Sequence, residues 1–202
     1  MEDIIFNTYG SNSFQSIITP NSILFFDMDG TLIETTQLNN YAYREAFNNV
    51  MGYPLPITDF DRITRHLLQC LPNISKEQID KIVEEKNRLY SGNISLAQPI
   101  LSTVELLEYY YKQNKTYLVT KAHIDRARET ISYFGLRDRF KDIISCNSEN
   151  KYSDAITKLG IDPNKVIVFE NEEKQIQASM KAGIPTNNII KVNYGIIYNS
   201  TK

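Results

Sequence analysis

The sequence predicts an α/β protein, a doubly wound parallel sheet of five strands with a helical segment inserted near its start. Three observations predict it. Short β-rich runs occur at Ile23–Asp27, Thr116–Thr120, Asp142–Ser145, Val166–Glu170 and Ile189–Val192. From the second run onward, single amphipathic helical segments separate them, the alternation expected of a parallel sheet covered on both faces. Between Glu34 and Pro99, by contrast, helical pattern follows helical pattern with no strand signal.

The first run, Ile-Leu-Phe-Phe-Asp, leads into Met28-Asp29-Gly30-Thr31. Side chains alternate along a strand, so Asp27 and Asp29 share a direction and Met28 takes the opposite one. Open parallel sheets bind ligands at the carboxyl ends of their strands, where these residues fall. Gly30 permits a tight turn, and Thr31 offers a hydroxyl and an N–H. Two adjacent carboxylates repel unless a cation lies between them, and a hard divalent ion such as Mg²⁺ suits oxygen ligands.

Residues 36–97 read as an inserted helical subdomain. The stretches QLNNYAYREAFNNVMG, ITDFDRITRHLLQCL and SKEQIDKIVEEKNRLYSG are amphipathic, and Pro54, Pro56 and Pro72 separate them. Residues 1–35 and 98–202 then form the sheet domain. Its helices come from STVELLEYYYKQN, DRARETISYFG, YSDAITKLG and EKQIQASMKAG, the last three ending on Gly135, Gly160 and Gly183, where helices should stop. The first twenty residues are polar and read as an arm lying on the core.

Composition narrows the function classes. With 202 residues, 42% of them hydrophobic and 23% charged, the chain suits one globular domain with a modest insertion. A net charge of −2 gives no support for nucleic acid or an anionic membrane as partner. Cys70 and Cys146 lack metal-binding spacing and read as reduced thiols. No apolar stretch reaches membrane-spanning length, and the acidic start MEDIIFNTYGSNS is unlike a signal peptide. The expectation is a cytoplasmic protein, monomeric by default.

Taken in order, these motifs resemble the haloacid dehalogenase superfamily along nearly the whole chain. Its first motif, a hydrophobic strand followed by DxDGT, is similar to Asp27-Met28-Asp29-Gly30-Thr31; its second, a Thr or Ser ending the next core strand, to Thr120 in TYLVT. Its third, a Lys opening a helix, matches Lys151, and its fourth, an acidic pair after a strand, matches Glu170-Asn171 in VIVFEN. FENEEKQIQASMKAG and AQPILSTVELL also look like family segments, and the insertion looks like the helical C1 cap of phosphoglycolate phosphatase and β-phosphoglucomutase relatives.

The resemblance implies a Rossmann-like core and Mg²⁺-dependent hydrolysis of a small phosphorylated substrate through an aspartyl-phosphate. Asp27 is then the nucleophile and Asp29 the acid and base. Thr120, Lys121 (through its backbone N–H) and Lys151 hold phosphate, and Asp27, Asp29, Glu170 and Asn171 surround the metal. Dehalogenases generally lack the second aspartate, so Asp29 favours the phosphatase and phosphomutase branches. A phosphomutase would use the same residues, and a non-catalytic binding module is the remaining alternative. The chain departs from the family at Asn171, usually Asp, and Gln175 supplies no acid later in the helix. Glu172 and Glu173 are reserve ligands or favourable charges at a helix N-terminus. His123 reads as a helix cap or a substrate contact, and Arg62, Arg65 and His66 as groups on insertion helices.

Overall fold

The structure, a computed structural model, describes residues 17–57, 62–193 and 196–199. Most of the N-terminal arm therefore lies outside the described residues. Its described end is anchored: Ile18 is buried, and the Asn114 side-chain amide donates to the carbonyls of Thr19 (2.7 Å) and Ser22 (2.9 Å).

The described residues form two compact units, one drawing on the chain up to Ile33 and from Pro99 onward, the other Glu34–Gln98. In the first, strands β1 (Ile23–Phe26), β4 (Lys115–Thr120), β5 (Asp142–Ser145), β6 (Val166–Glu170), β7 (Ile189–Asn193) and β8 (Ile196–Asn199) form one sheet ordered β5-β4-β1-β6-β7-β8. The first five in that order are parallel, and β8 adds an antiparallel edge that the sequence reading did not anticipate. β1 is central because its neighbours cover both of its edges, and its Leu24, Phe25 and Phe26 are fully buried. β6 is buried along its whole length, as its continuous apolar run requires of a strand covered on both faces. Phe26 lies opposite Phe169 in register, and their rings stack with centroids 4.4 Å apart.

Helices α4 (Leu101–Tyr110), α5 (Ile124–Tyr133), α6 (Lys151–Leu159) and α7 (Glu173–Lys181) cover the sheet. Tyr152 and Ala155 of α6 and Ile176 of α7 pack on Phe25, Val119 and Val168. Burying a side chain the size of Ile176, Phe25, Val119 or Val168 contributes about 1.5–3 kcal/mol relative to exposure. The parallel strands all present their carboxyl ends on one side, and there the expected site residues collect.

The second unit holds α1 (Thr36–Met51), α2 (Arg65–Gln69) and α3 (Lys76–Gly92). A reciprocal capping box between Ser75 and Gln78 starts α3. Phe47, Ile63, Leu68 and Ile82 form its apolar centre, and the buried Lys86 lays its ammonium over the rings of Tyr43 and Tyr90. Of the helix expected over ITDFDRITRHLLQCL, residues 58–61 lie outside the described residues, and in the described part α2 begins only after Thr64, whose hydroxyl accepts the Leu67 N–H. Strands β2 (Ile33–Glu34) and β3 (Gln98–Pro99) form a small second sheet, again unanticipated because two-residue strands carry no periodicity.

Candidate active site

The turn after β1 is built on one carbonyl. Met28 O accepts the N–H groups of Thr31, Leu32 and Ile33 at 3.3, 3.0 and 3.0 Å, while Gly30 N–H returns to Ile33 O at 2.8 Å. Gly30 has φ +81°, a conformation that side chains disfavour. Space also demands glycine here, because a Cβ would stand 2.4 Å from Asn171 Nδ2. The buried Thr31 hydroxyl donates to Asn171 Oδ1 at 3.0 Å. The loops after β1 and β6 are thus locked together through an amide.

Behind this contact lies a buried charge cluster. Lys151 Nζ sits 2.5 Å from Asp27 Oδ1 and 2.7 Å from Glu170 Oε2, and all three residues are buried. Tyr152 Oη donates to the same Glu170 Oε2 at 2.7 Å, and the Lys151 ammonium also lies 4.9 Å from the Tyr152 ring centre. Glu170 Oε1 accepts the N–H groups of Asn171 and Glu172, both at 2.9 Å, capping the approach to α7. Both oxygens of Glu170 are therefore engaged by this chain's own donors.

Two carboxylates share one ammonium, and the imbalance shows in the titration of Asp27. Burial first, then the Glu170 charge, pushes Asp27 up from 3.8 to about 7, against the opposing pull of Lys151. Burial alone would lower Lys151, but the charges of Asp27 and Glu170 override it and hold the ammonium above its ordinary range. Burial and the Glu170 charge raise Tyr152 well above its usual value, so it remains a phenol and a donor.

Asp29 has a separate partner, which the sequence reading missed. Arg126, in the first turn of α5, places Nη2 3.0 Å from Asp29 Oδ2, and each side chain is only 18% exposed. Tyr152 was missed as well. Both lie in stretches whose local pattern reads simply as amphipathic helix. Thr120 ends β4 fully buried, its hydroxyl accepting the Ala122 N–H at 3.1 Å. The Lys121 ammonium pairs at the surface with Glu149, which also holds Lys174. His123 caps α5, its Nδ1 facing the Asp125 N–H at 3.4 Å. Glu173 pairs with Lys191, Arg65 with Asp80 in the helical unit, and Gln175 is buried.

Among the described residues, no three His, Cys, Asp or Glu side chains are grouped to hold a metal ion. The donor types nonetheless suit a hard cation: carboxylates of Asp27 and Asp29, and the Asn171 amide held against Gly30 by Thr31. That set fits Mg²⁺ in chemistry, with two carboxylates and a neutral amide supplying the oxygens.

Residues 24–189 match the family model described as haloacid dehalogenase-like hydrolase. The fructose-1-phosphate phosphatase of Escherichia coli is 21% identical over 80% of this chain and 92% of its own length. A phosphorylated carbohydrates phosphatase of Thermotoga maritima is 25% identical over 80% and 81%. Among solved structures, a haloacid dehalogenase-like family protein from Streptococcus pneumoniae superposes with a TM-score of 0.72 at 20% identity, covering 88% of this chain and 87% of that one. CbbY from Rhodobacter sphaeroides, solved with phosphate, gives 0.69 at 18% identity over 86% and 87%.

Proposed function

This chain belongs to the haloacid dehalogenase-like hydrolases, and on that premise we propose that it is a phosphatase for small phosphorylated metabolites, phosphorylated sugars first among them. The observation that carries this reading is the buried Asp27–Lys151–Glu170 cluster, with Asp29 two residues along on Arg126. The phosphatase names of the two curated relatives support the substrate class.

Asp27 attacks phosphorus, and the bond from phosphorus to the leaving oxygen breaks with its electron pair on that oxygen. Asp29 delivers the proton the departing alkoxide needs. In the second step Asp29 takes a proton from water as it attacks the phosphoryl group on Asp27, releasing phosphate and restoring the carboxylate. Lys151 stabilises charge on the nucleophile and on the phosphoryl oxygens, and the Thr120 end of β4 holds those oxygens. Glu170, clamped by Tyr152 and two backbone N–H groups, keeps Lys151 in place rather than ligating a cation. Asp27, Asp29 and Asn171 would hold Mg²⁺, which when bound neutralises phosphate charge and orients the ester. Glu34–Gln98 is read as the helical cap of this family. The free thiols of Cys70 and Cys146 support a reducing, cytoplasmic setting.

The direct test is release of inorganic phosphate from p-nitrophenyl phosphate and a panel of sugar phosphates with Mg²⁺ present. Metal-dependent turnover is expected. Absence of turnover across the panel would leave a binding module as the better reading, and an isomerised product without phosphate release would indicate a mutase.

The metal arrangement makes its own prediction. Asn171→Asp adds the missing carboxylate without changing volume, and the new oxygen still accepts the Thr31 hydroxyl. Unit charges about 4 Å apart interact by about 4 kcal/mol at an effective dielectric of 20, and hydration returns most of that. Calorimetry should show Mg²⁺ binding tightened about tenfold in the variant. Unchanged affinity would remove Asn171 from the metal shell.

A further inference from the structure

We propose that Arg126 is a positioning residue that aims the Asp29 carboxyl at the leaving oxygen. The proposal rests on the phosphatase reading above. Asp29 lies on a turn, outside any strand, and two side-chain torsions decide where its oxygens point. Arg126 arrives from α5, 97 residues away in sequence, and donates Nη2–H to Oδ2 at 3.0 Å. Holding one carboxyl oxygen fixes the plane in which the other is presented.

The setting makes that restraint effective. At 18% exposure on each side, this pair is shielded from water far more than surface pairs such as Lys81–Glu77, at 62% and 80%. Guanidinium is also planar and rigid, so it restrains direction as well as distance, which an ammonium does not. The backbone around Asp29 is already pinned by the Met28 carbonyl and by Gly30 against Asn171. To that the Arg126 contact adds a restraint on the side-chain torsions.

The step at stake is the first one. As the Asp27 oxygen bonds to phosphorus, the leaving oxygen takes the bond's electrons and the proton from Asp29. An alkoxide leaves only with that proton, whereas p-nitrophenolate leaves without it. Misplacing a catalytic group by about 1 Å costs about a hundredfold. The quantity to read is therefore kcat/KM, which reports the chemistry up to leaving-group departure, for the best sugar phosphate and for p-nitrophenyl phosphate.

In R126A the sugar phosphate should lose about 30- to 100-fold, and p-nitrophenyl phosphate at least tenfold less than that. R126K, which keeps the charge but not the fork, should recover part of the loss. With Mg²⁺ saturating, so that the part of Asp29 in holding the metal does not enter, D29N should show the same selective loss, and R126A/D29N should be no worse on the sugar phosphate than D29N alone. Circular dichroism and thermal melts establish that each variant is folded, and R126K carries the comparison if R126A is not. Equal losses on both esters, or additive losses in the double variant, would overturn the positioning role. No turnover of either ester by the unaltered protein would overturn the phosphatase reading and this role with it.

Discussion

Asp27→Asn should abolish turnover and, at pH 8, raise the melting temperature of the metal-free protein. The first effect follows from the chemistry: a carboxamide does not attack phosphorus, and losing a nucleophile costs on the order of a thousandfold or more. The second follows from the imbalance around Lys151. Asp27 and Glu170 share one ammonium in a buried site, and Asp27 is pushed from 3.8 up to about 7 by burial and by Glu170.

The sign of the pH effect follows from the raised value. A carboxyl with a raised folded-state value favours its protonated form in the fold. Its contribution to stability is complete below about pH 4 and is lost as pH rises through about 7. The native protein should therefore weaken across that window by on the order of a few kcal/mol. The carboxamide of the D27N variant has no such titration, and it leaves Lys151 and Glu170 as a balanced pair. Thermal melts of both proteins from pH 5 to pH 8 should diverge as pH rises. Wild-type turnover in the variant would end the nucleophile assignment, and parallel melting curves would end the charge-imbalance argument.

Removal of the shared cation should act in the opposite direction. Lys151→Met keeps nearly the same length and leaves two buried carboxylates facing each other without a counter-charge. Breaking a buried pair in this way costs about 3–5 kcal/mol, because the remaining charges stay desolvated and unpaired. Tyr152 and the two N–H groups still hold Glu170, so the strain concentrates on Asp27. Urea denaturation near pH 7.5 should show the loss, and lowering the pH should restore part of it as Asp27 takes up a proton. A change below about 1 kcal/mol at pH 7.5 would mean that water or another cation replaces the ammonium.

Several features of this protein were legible directly from residue order. The strand at Asp142–Ser145 falls where its β-rich run predicts, and β1 ends one residue earlier than expected. Helices α5, α6 and α7 end one or two residues before Gly135, Gly160 and Gly183, each with a positive φ. These are local properties: a strand or helix declares itself through the period of its apolar residues and through the backbone freedom of the glycine that stops it. The four segments carrying Asp27, Thr120, Lys151 and Glu170 were likewise legible, because each stands at a strand end or at the start of a helix.

The pairings among those residues were decided by the tertiary structure. Nothing local links Asp27 to Lys151, 124 residues away, Thr31 to Asn171, 140 away, or Asp29 to Arg126, 97 away. The last two contacts exist because β1 is inserted between β4 and β6, which brings the loops that follow those three strands side by side, and Lys151 reaches Asp27 from the start of α6, which follows β5. That order also made Glu170, expected beside a metal, the partner of Lys151 and Tyr152, and gave Asp29 an arginine that its own neighbourhood does not contain. By itself, the sequence determined which segments become strands and helices and which of them carry chemistry. Only the folded sheet decided which charge faces which, because those pairings depend on strand order and burial, and neither leaves a periodic trace along the chain.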